Sequence, residues 1–245
     1  MVDAVDMKLG VIGGLGPMAT AFFLERVIEM TKAACDQEHL DMIIYNAPSI
    51  PDRTRYILGL SQDNPVPPMI RIGRKLVEQG VACIAIPCVT AHYFHNELSE
   101  AIERPIIHAI RETVGQLKQQ GVKAAGVAAT DGTLAGRLFQ NELAKQDIRC
   151  IAPDQQVQQS IMDLIYRDIK AGLPADMEQF HAVSARLRRE GAETIILGCT
   201  ELSLIKRDNP IGPGYLDVMD VLAKAAILTC GSPLKPEYIN LISDS

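Results

Sequence analysis

The chain has 245 residues, of which 47% are hydrophobic and 22% are charged, a composition typical of a soluble globular protein. Acidic residues outnumber basic residues by 30 to 24, the net charge is −6 and the pI is about 5.4, so the composition argues against a nucleic-acid-binding protein, which needs clustered Lys and Arg. The longest apolar stretches are far shorter than the roughly 18 residues of a membrane span, so we expect no membrane insertion.

Short apolar runs alternate with longer amphipathic stretches along the chain, which is the pattern of parallel strands connected by helices. In chain order, the predicted strands are 9–13, 42–45, 82–86, 106–108, 124–128, 149–152 and 194–197. Helical periodicity predicts helices over 18–34, 70–78, 95–103, 111–119, 134–145, 156–171 and 177–189. The proline-rich segment 48–68 predicts a loop with one short helix near 53–58. The fold class predicted is α/β with mostly parallel sheets.

Two segments of the first half are repeated in the second half. Residues 10–17 (GVIGGLGP) are similar to 126–133 (GVAATDGT), and 85–90 (AIPCVT) are similar to 196–200 (ILGCT). Each repeated segment contains a strand that runs into a turn.

The repeats predict two pseudo-symmetric α/β domains with the active site in the cleft between them. We expect the first domain to comprise residues 1–104 plus 212–245 and the second to comprise 105–211.

Cys88 and Cys199 occupy equivalent positions in these repeats, each at the end of a predicted strand. Ligands of open α/β sheets bind beyond the carboxyl ends of the strands, so we expect both thiols to flank one cleft. Each cysteine also lies where a strand is expected to pass into a helix, and the dipole of a helix start is expected to lower the pKa of the thiol. Two opposed bases suit the removal of a proton from one face of a carbon and its return to the other, which needs no metal or cofactor.

Four motifs of the chain resemble those of the aspartate/glutamate racemase family. They are 10–17, 87–92 (PCVTAH), 130–133 (TDGT) and 198–202 (GCTEL), and together they span nearly the whole chain. The resemblance implies a cofactor-independent amino-acid racemase with Cys88 and Cys199 as acid and base, and a homodimer, as is common among relatives. It also implies that the α-carboxylate and the amine of the substrate are held by Thr90, Thr130, Gly132, Thr133 and Thr200. Hydroxyls and backbone N–H groups at helix starts suit this task because they bind anions readily.

Two further segments bear on the substrate. Arg53 lies in 51–54 (PDRT) and Lys170 in 169–172 (IKAG), and both resemble aspartate-racemase segments that bind a carboxylate. Together they predict a dicarboxylic amino acid, aspartate or glutamate. Val89 stands where relatives usually carry asparagine, so this position neither donates nor accepts a hydrogen bond, and we expect subdued activity on such a substrate.

The six cysteines form no C-x-x-C pair, and the amino terminus carries no apolar run typical of an export signal. We therefore expect a cytoplasmic protein with free thiols. The four cysteines outside the repeated motifs are predicted to be structural, and they are Cys35, Cys83, Cys150 and Cys230.

Two groups of residues near the repeated cysteines have alternative interpretations. Cys88, His92 and His95 have a spacing that zinc ligands adopt on a helix, but further ligands are lacking, so no metal site is predicted. Glu201 either orients the thiol of the neighbouring cysteine or caps a helix, and both roles remain open.

Residues 14–19 (GLGPMA) fit a dinucleotide fingerprint, which indicates an NAD-dependent enzyme. Against this, the second predicted strand lacks the acidic residue that binds ribose, and the repeated cysteines are left unexplained. Further alternatives are a catalytically weak amino-acid-binding protein, which Val89 favours, and another member of the superfamily, such as a hydantoin racemase or a maleate isomerase. An arylmalonate decarboxylase is disfavoured because it needs only one cysteine.

Overall fold

Two parallel sheets lie at the centre of the computed structural model, which describes residues 7–242. The first sheet contains β1 (Leu9–Gly13), β2 (Met42–Asn46) and β3 (Cys83–Ala85), in the order β2-β1-β3. The second contains β4 (Ala124–Ala128), β5 (Arg149–Ile151), β6 (Thr194–Leu197) and β7 (Tyr215–Asp217), in the order β5-β4-β6-β7. Every ladder within the two sheets is parallel. The predicted α/β class with parallel sheets is confirmed.

Helices cover the faces of both sheets. The α-helices are α1 (Pro17–Met30), α2 (Arg53–Ile57), α3 (Val66–Glu78), α4 (His95–Ala101), α5 (Ala109–Gln119), α6 (Asp131–Ala135), α7 (Leu138–Ala144), α8 (Gln155–Met162), α9 (Met177–Arg189), α10 (Thr200–Asp208) and α11 (Val218–Thr229). A 3₁₀ helix spans Val89–Phe94, and a π-helix spans Asp163–Ile169. Within residues 7–242, no helix is long and apolar enough to span a bilayer.

Polar side chains set where several of these helices begin. A side-chain oxygen of the residue just before the helix accepts a backbone N–H of the first turn in five cases, namely Asp52, Thr130, Asp154, Asp176 and Asp217. This contact satisfies one of the backbone donors that a helix start leaves without a partner.

The structure differs from the sequence prediction in three connecting segments. The predicted helix 134–145 is interrupted, because Arg137 adopts a left-handed conformation (φ 53°) between α6 and α7. The predicted strand 106–108 is reduced to an isolated bridge between Ile84 and Ile106. The predicted helix 156–171 consists of α8 followed by the π-helix.

The segment after residue 212 also departs from the expected assignment to the first domain. Strand β7, which the sequence analysis did not predict, pairs with β6 and therefore belongs to the second sheet. Helix α11 then packs against α1 and β3 of the first half and against α5. The remaining boundaries of the two domains stay a prediction.

Three apolar clusters hold the layers together. One cluster includes side chains of β1, α1, β4, α5 and α11, so it joins the two halves. The other two lie on the outer face of each sheet, one under α3 and α4 and one under α9. This core fixes the carboxyl ends of β3 and β6 relative to each other, and the chain beyond these two ends carries the repeated cysteines.

Candidate active site

Cys88 and Cys199 line one small gap between the two halves of the molecule. Cys88 follows β3 and directly precedes the 3₁₀ helix, and Cys199 is the residue just before α10. The gap has a volume of about 10 Å³, room for about one water molecule. Its walls also contain six further residues predicted from the sequence, which are Arg53, Val89, Thr90, Thr130, Lys170 and Thr200.

Three hydroxyls from the two halves meet at one wall of the gap. The Oγ1 atom of Thr90 lies 2.8 Å from that of Thr130 and 3.2 Å from that of Thr133. Thr133 is fully buried behind this wall and does not line the gap. Gly132 does not line it either, and a Cβ atom there would lie 3.0 Å from Cα of Thr54. Gly132 therefore permits a close approach of α6 to α2, so these two predicted residues support the site from behind.

A chain of polar contacts runs from Cys199 to Lys170 through Glu201. The thiol of Cys199 donates to Oε2 of Glu201 at 2.9 Å, and Nζ of Lys170 lies 3.2 Å from Oε1 of the same carboxylate. Burial and the negative charge of Glu201 raise the pKa of Cys199 well above its ordinary value, although Lys170 opposes this. The expectation that a helix start lowers the pKa of Cys199 is therefore wrong, because burial and a neighbouring carboxylate outweigh the helix dipole here.

Lys170 directly follows the π-helix, which also carries Tyr166. Burial would lower the pKa of Lys170, but Glu201 and the other groups around the gap raise it above its ordinary value. The ammonium group lies 5.1 Å from the ring centre of Tyr166, whose hydroxyl donates to Asp52 at 3.1 Å. This hydroxyl contact connects the π-helix of the second half to the start of α2 in the first half. π-helical turns occur often at functional sites, which is consistent with its position here.

Arg53 is almost completely buried, with 6% of its surface exposed. Its terminal nitrogens donate to the backbone carbonyls of Leu15, Ile50 and Pro51, while Nε has no hydrogen-bond partner. Burial would lower the pKa of Arg53, but interactions with Cys88 and Asp52 raise it. Arg53 thus anchors two loops and places a positive charge beside Cys88.

His92 is held by the backbone on both ring nitrogens. Nε2 accepts the N–H of Ala109 at 3.1 Å, and Nδ1 then donates to the carbonyl of Cys88, also at 3.1 Å. The ring is buried, and its pKa is lowered to about 4, mainly by this burial. His92 therefore ties the Cys88 loop to the start of α5, and its nitrogens are engaged by main-chain groups.

A larger cavity of about 370 Å³ adjoins the gap. The two spaces share five lining residues, which are Leu15, Asp52, Arg53, Lys170 and Glu201. The far wall of the cavity is largely apolar and contains Met18, Ile50, Ile169 and Leu204. Because the gap itself has room for little more than a water molecule, the shared side chains must move for an amino acid to reach both thiols.

Tyr166 lines the gap but lies outside every motif singled out in the sequence. Leu15 and Thr54 also line the gap and lie within such motifs, but no role was predicted for them. Asp52 belongs to a quoted motif, but no role was predicted for it. Tyr166 precedes Lys170 by four residues, a spacing that places two side chains on one face of a helix and that was available as a signal. Glu201 had two open roles, and its contact with the thiol of Cys199 supports the first of them.

Comparison with known proteins places this geometry in a family. The model of the Asp/Glu/Hydantoin racemase family matches residues 12–226. The chain is 30% identical over 230 residues to the broad specificity amino-acid racemase RacX of Bacillus subtilis, a match that covers 90% of this chain and 97% of that protein.

Solved structures show the same relationship. The structure of Picrophilus torridus aspartate racemase superposes with a TM-score of 0.84 at 29% identity and covers 96% of this chain and 99% of that one. A putative Asp/Glu racemase from Yersinia pestis has a TM-score of 0.75 at 23% identity, with coverages of 91% and 99%, which shows a shared fold.

The chain belongs to the Asp/Glu/hydantoin racemase family. The resemblance read from the four motifs is thereby confirmed, as is the predicted enzyme class, an amino-acid racemase.

Proposed function

We propose that the protein racemises aspartate or glutamate, without a cofactor, by two-base proton transfer between the thiols of Cys88 and Cys199. The observation that supports this most directly is that the two cysteines, one from each half, line the same gap. With the α-carbon of a substrate between them, one sulfur removes the α-proton and the other delivers a proton to the opposite face. The configuration at the α-carbon is thereby inverted.

The surroundings of Cys199 determine which of the two thiols acts as the acid. Cys199 keeps its proton because burial and the charge of Glu201 raise its pKa, so it acts as the acid in the first direction. With Cys199 as the acid, Cys88 on the other wall of the gap acts as the base that removes the α-proton. After one turnover the protons have exchanged, and the enzyme is ready for the opposite enantiomer. Glu201 acts through Cys199 as a positioning residue.

The other polar groups of the gap bind different parts of the substrate: some bind its α-carboxylate and amine, and one binds its side chain. The hydroxyls of Thr90, Thr130 and Thr200 are suited to bind the α-carboxylate and the amine, because hydroxyls both donate and accept. Lys170 offers a positive charge to the side-chain carboxylate, in place of its present pairing with Glu201.

Replacing either cysteine tests the chemistry. We expect Cys88→Ser and Cys199→Ser each to lower kcat at least about a hundredfold, the range for loss of a positioned acid or base. Cys35→Ser, at an exposed cysteine, is the matched control and should keep its activity. Racemisation in deuterated water adds a second readout. Two-base transfer introduces deuterium at the α-carbon of the product enantiomer before deuterium appears in the remaining substrate. Near wild-type turnover by either catalytic variant would falsify the two-base mechanism.

Replacing Lys170 tests the choice of an acidic substrate. Lys170→Ala should lower kcat/KM for aspartate relative to alanine by about tenfold or more, because a hydrogen bond to a charged group contributes roughly 1.5–3 kcal/mol. Arg167→Ala is the matched control, since Arg167 is an exposed cation on the π-helix that directly precedes Lys170. Equal losses of kcat/KM on both substrates would mean that Lys170 does not bind the side-chain carboxylate of the substrate. Arg53 is a poorer target, since its removal leaves three backbone carbonyls, two of them in buried hydrogen bonds, without this donor.

The apolar wall of the adjoining cavity supports a second candidate, a broad-specificity amino-acid racemase. A space of about 370 Å³ exceeds what the side chain of aspartate needs, and it suits longer apolar side chains. Measuring the D-enantiomer formed from each L-amino acid decides between the two candidates. Higher kcat/KM on methionine or leucine than on aspartate and glutamate would favour broad specificity.

A further inference from the structure

Two cysteines outside the active site are in direct contact across the first half of the molecule. Cys83 lies in β3, and Cys230 directly follows α11. Their sulfur atoms are 3.5 Å apart, although 147 positions separate them in the chain. Among the cysteines, all of which fall within residues 7–242, this is the one pair whose sulfur atoms are in hydrogen-bonding contact. We propose that Cys83 and Cys230 form a disulfide when the protein meets a peroxide.

The two sulfur atoms lie close to bonding distance, and there is open space beside the residue that follows Cys230. A disulfide has an S–S distance of about 2.05 Å, so the two sulfur atoms must approach by roughly 1.5 Å. Cys230 lies at the last turn of α11, and the next residue, Gly231, has a positive φ of 71° with open space where a Cβ would be. The chain around Cys230 therefore has room to adjust.

The two thiols differ in their exposure to solvent and in their pKa, and both properties affect the reaction with a peroxide. Cys230 is 6% exposed and Cys83 is 1% exposed, so we assign the first reaction with the oxidant to Cys230. The hydrogen bond from Cys83 lowers the pKa of Cys230, although burial opposes this. A lowered pKa increases the fraction of thiolate, which is the reactive form.

The reaction proceeds in two balanced steps. The thiolate of Cys230 attacks one oxygen of hydrogen peroxide, the O–O bond breaks, and the products are a sulfenic acid on Cys230 and a hydroxide that becomes water. The sulfur of Cys83 then attacks the sulfenic sulfur, the S–S bond forms, and a second water leaves. Together the two thiols lose two electrons and two protons, and the peroxide is reduced to two water molecules.

The bond would fasten the carboxyl-terminal part of the chain to the first sheet. The segment after Cys230 already pairs with the chain after α1, through a bridge between Thr31 and Leu234 and a hydrogen bond from Lys32 to Pro233. A crosslink that closes so long a loop stabilises mainly by restricting the unfolded chain. Cys83 begins β3, whereas Cys88 lies beyond its other end, so the crosslink is separate from the catalytic gap.

The test uses the full-length protein treated with hydrogen peroxide, quenched with catalase, alkylated and digested without reductant. We expect mass spectrometry to find a peptide pair joined through Cys83 and Cys230. The melting temperature should rise by roughly 5–10 °C and fall back after dithiothreitol treatment. Cys35→Ala should behave like the wild type, and Cys230→Ala should show neither the linked peptides nor the rise.

Recovery of Cys83 and Cys230 as free thiols or as separate sulfinic acids, while other thiols are oxidised, would overturn the proposal. So would an equal rise of the melting temperature in Cys230→Ala. If that variant does not fold, the linked peptides of the wild type and of Cys35→Ala decide the question. The result does not depend on the racemase mechanism, because neither sulfur lines the catalytic gap.

Discussion

Glu201 links the thiol of Cys199 to the ammonium group of Lys170, and all three side chains line the gap between the two halves. Burial is the main reason why the pKa of Cys199 lies well above its ordinary value. The carboxylate of Glu201 is the second reason, because it disfavours a negative charge on the nearby sulfur. At the scale of single residues, the charge of Glu201 therefore adds to the effect of burial in raising the pKa of Cys199.

Glu201→Gln keeps the shape of the side chain and removes its charge. The pKa of Cys199 should fall, so the alkaline limb of the pH profile of kcat/KM, which reports groups of the free enzyme, should move to lower pH. Glu201→Asp keeps the charge and should leave this limb close to that of the wild type. An unchanged limb in Glu201→Gln would contradict this role of Glu201, since a residue that only caps α10 would alter stability without moving it.

At the scale of elements, the start of α1 is shaped to leave room for Glu201. Gly16 directly precedes the helix, and a Cβ atom there would lie 2.6 Å from Oε1 of Glu201. Its φ of −132° is open to any residue, so glycine is required by space rather than by conformation.

Gly16→Ala should displace the carboxylate of Glu201 and lower kcat severalfold, while the fold persists because the clash is with the end of a flexible side chain. Gly115→Ala in α5, where a Cβ meets nothing within 4 Å, is the matched control and should keep wild-type kcat. Steady-state kinetics and the melting temperatures of both variants provide the measurement. Wild-type kcat and an unshifted pH profile in Gly16→Ala would show that catalysis does not need this position of Glu201.

The predictability of the site differs between its elements. Cys88 and Cys199 follow apolar strands, and because the carboxyl ends of parallel strands meet, their shared gap followed from the repeat. The π-helix was not predictable, since residues 156–171 follow ordinary helical periodicity and the wider turn that brings Tyr166 into the gap depends on packing. Strand β7 was missed because it runs directly into α11, so no turn residues mark where the strand ends and the helix begins.

The pKa of Cys199 was beyond sequence reasoning for a different reason. The helix start that follows Cys199 is visible in the sequence, but complete burial and the distance to the Glu201 carboxylate arise only from the packed structure. Desolvation and a like charge together outweigh the partial charge of the helix dipole at Cys199.

At the scale of the whole molecule, three histidines lie together where the first half joins α5. The ring centres of His95 and His108 are 4.3 Å apart, and those of His92 and His108 are 5.5 Å apart. Burial lowers the pKa of His92 to about 4 and that of His108 to about 3, and charge repulsion from His95 adds to the effect at both rings. The folded protein therefore holds these rings neutral under mildly acidic conditions in which an unfolded chain binds protons.

The sign of the resulting pH dependence follows from proton binding. The pKa of His92 falls from 6.5 in the unfolded chain to about 4 in the folded protein, so its contribution is complete above pH 6.5 and is lost as the pH falls toward 4. Asp217 acts in the opposite direction, because burial raises its pKa to about 6, which favours the folded state as the pH falls. The effect of His92 must therefore be measured as a difference between two variants that share Asp217.

His92→Gln supplies that difference, because glutamine does not titrate. At pH 7 the wild type should be the more stable, since its ring makes hydrogen bonds to Cys88 and Ala109. Between pH 6.5 and pH 4 the advantage in the free energy of unfolding should shrink by about 3 kcal/mol, the value of a pKa difference of this size. Urea unfolding of both proteins at several pH values measures it. A constant difference over this range would mean that His92 has a similar pKa in the folded and unfolded chains, and that its burial does not keep it neutral.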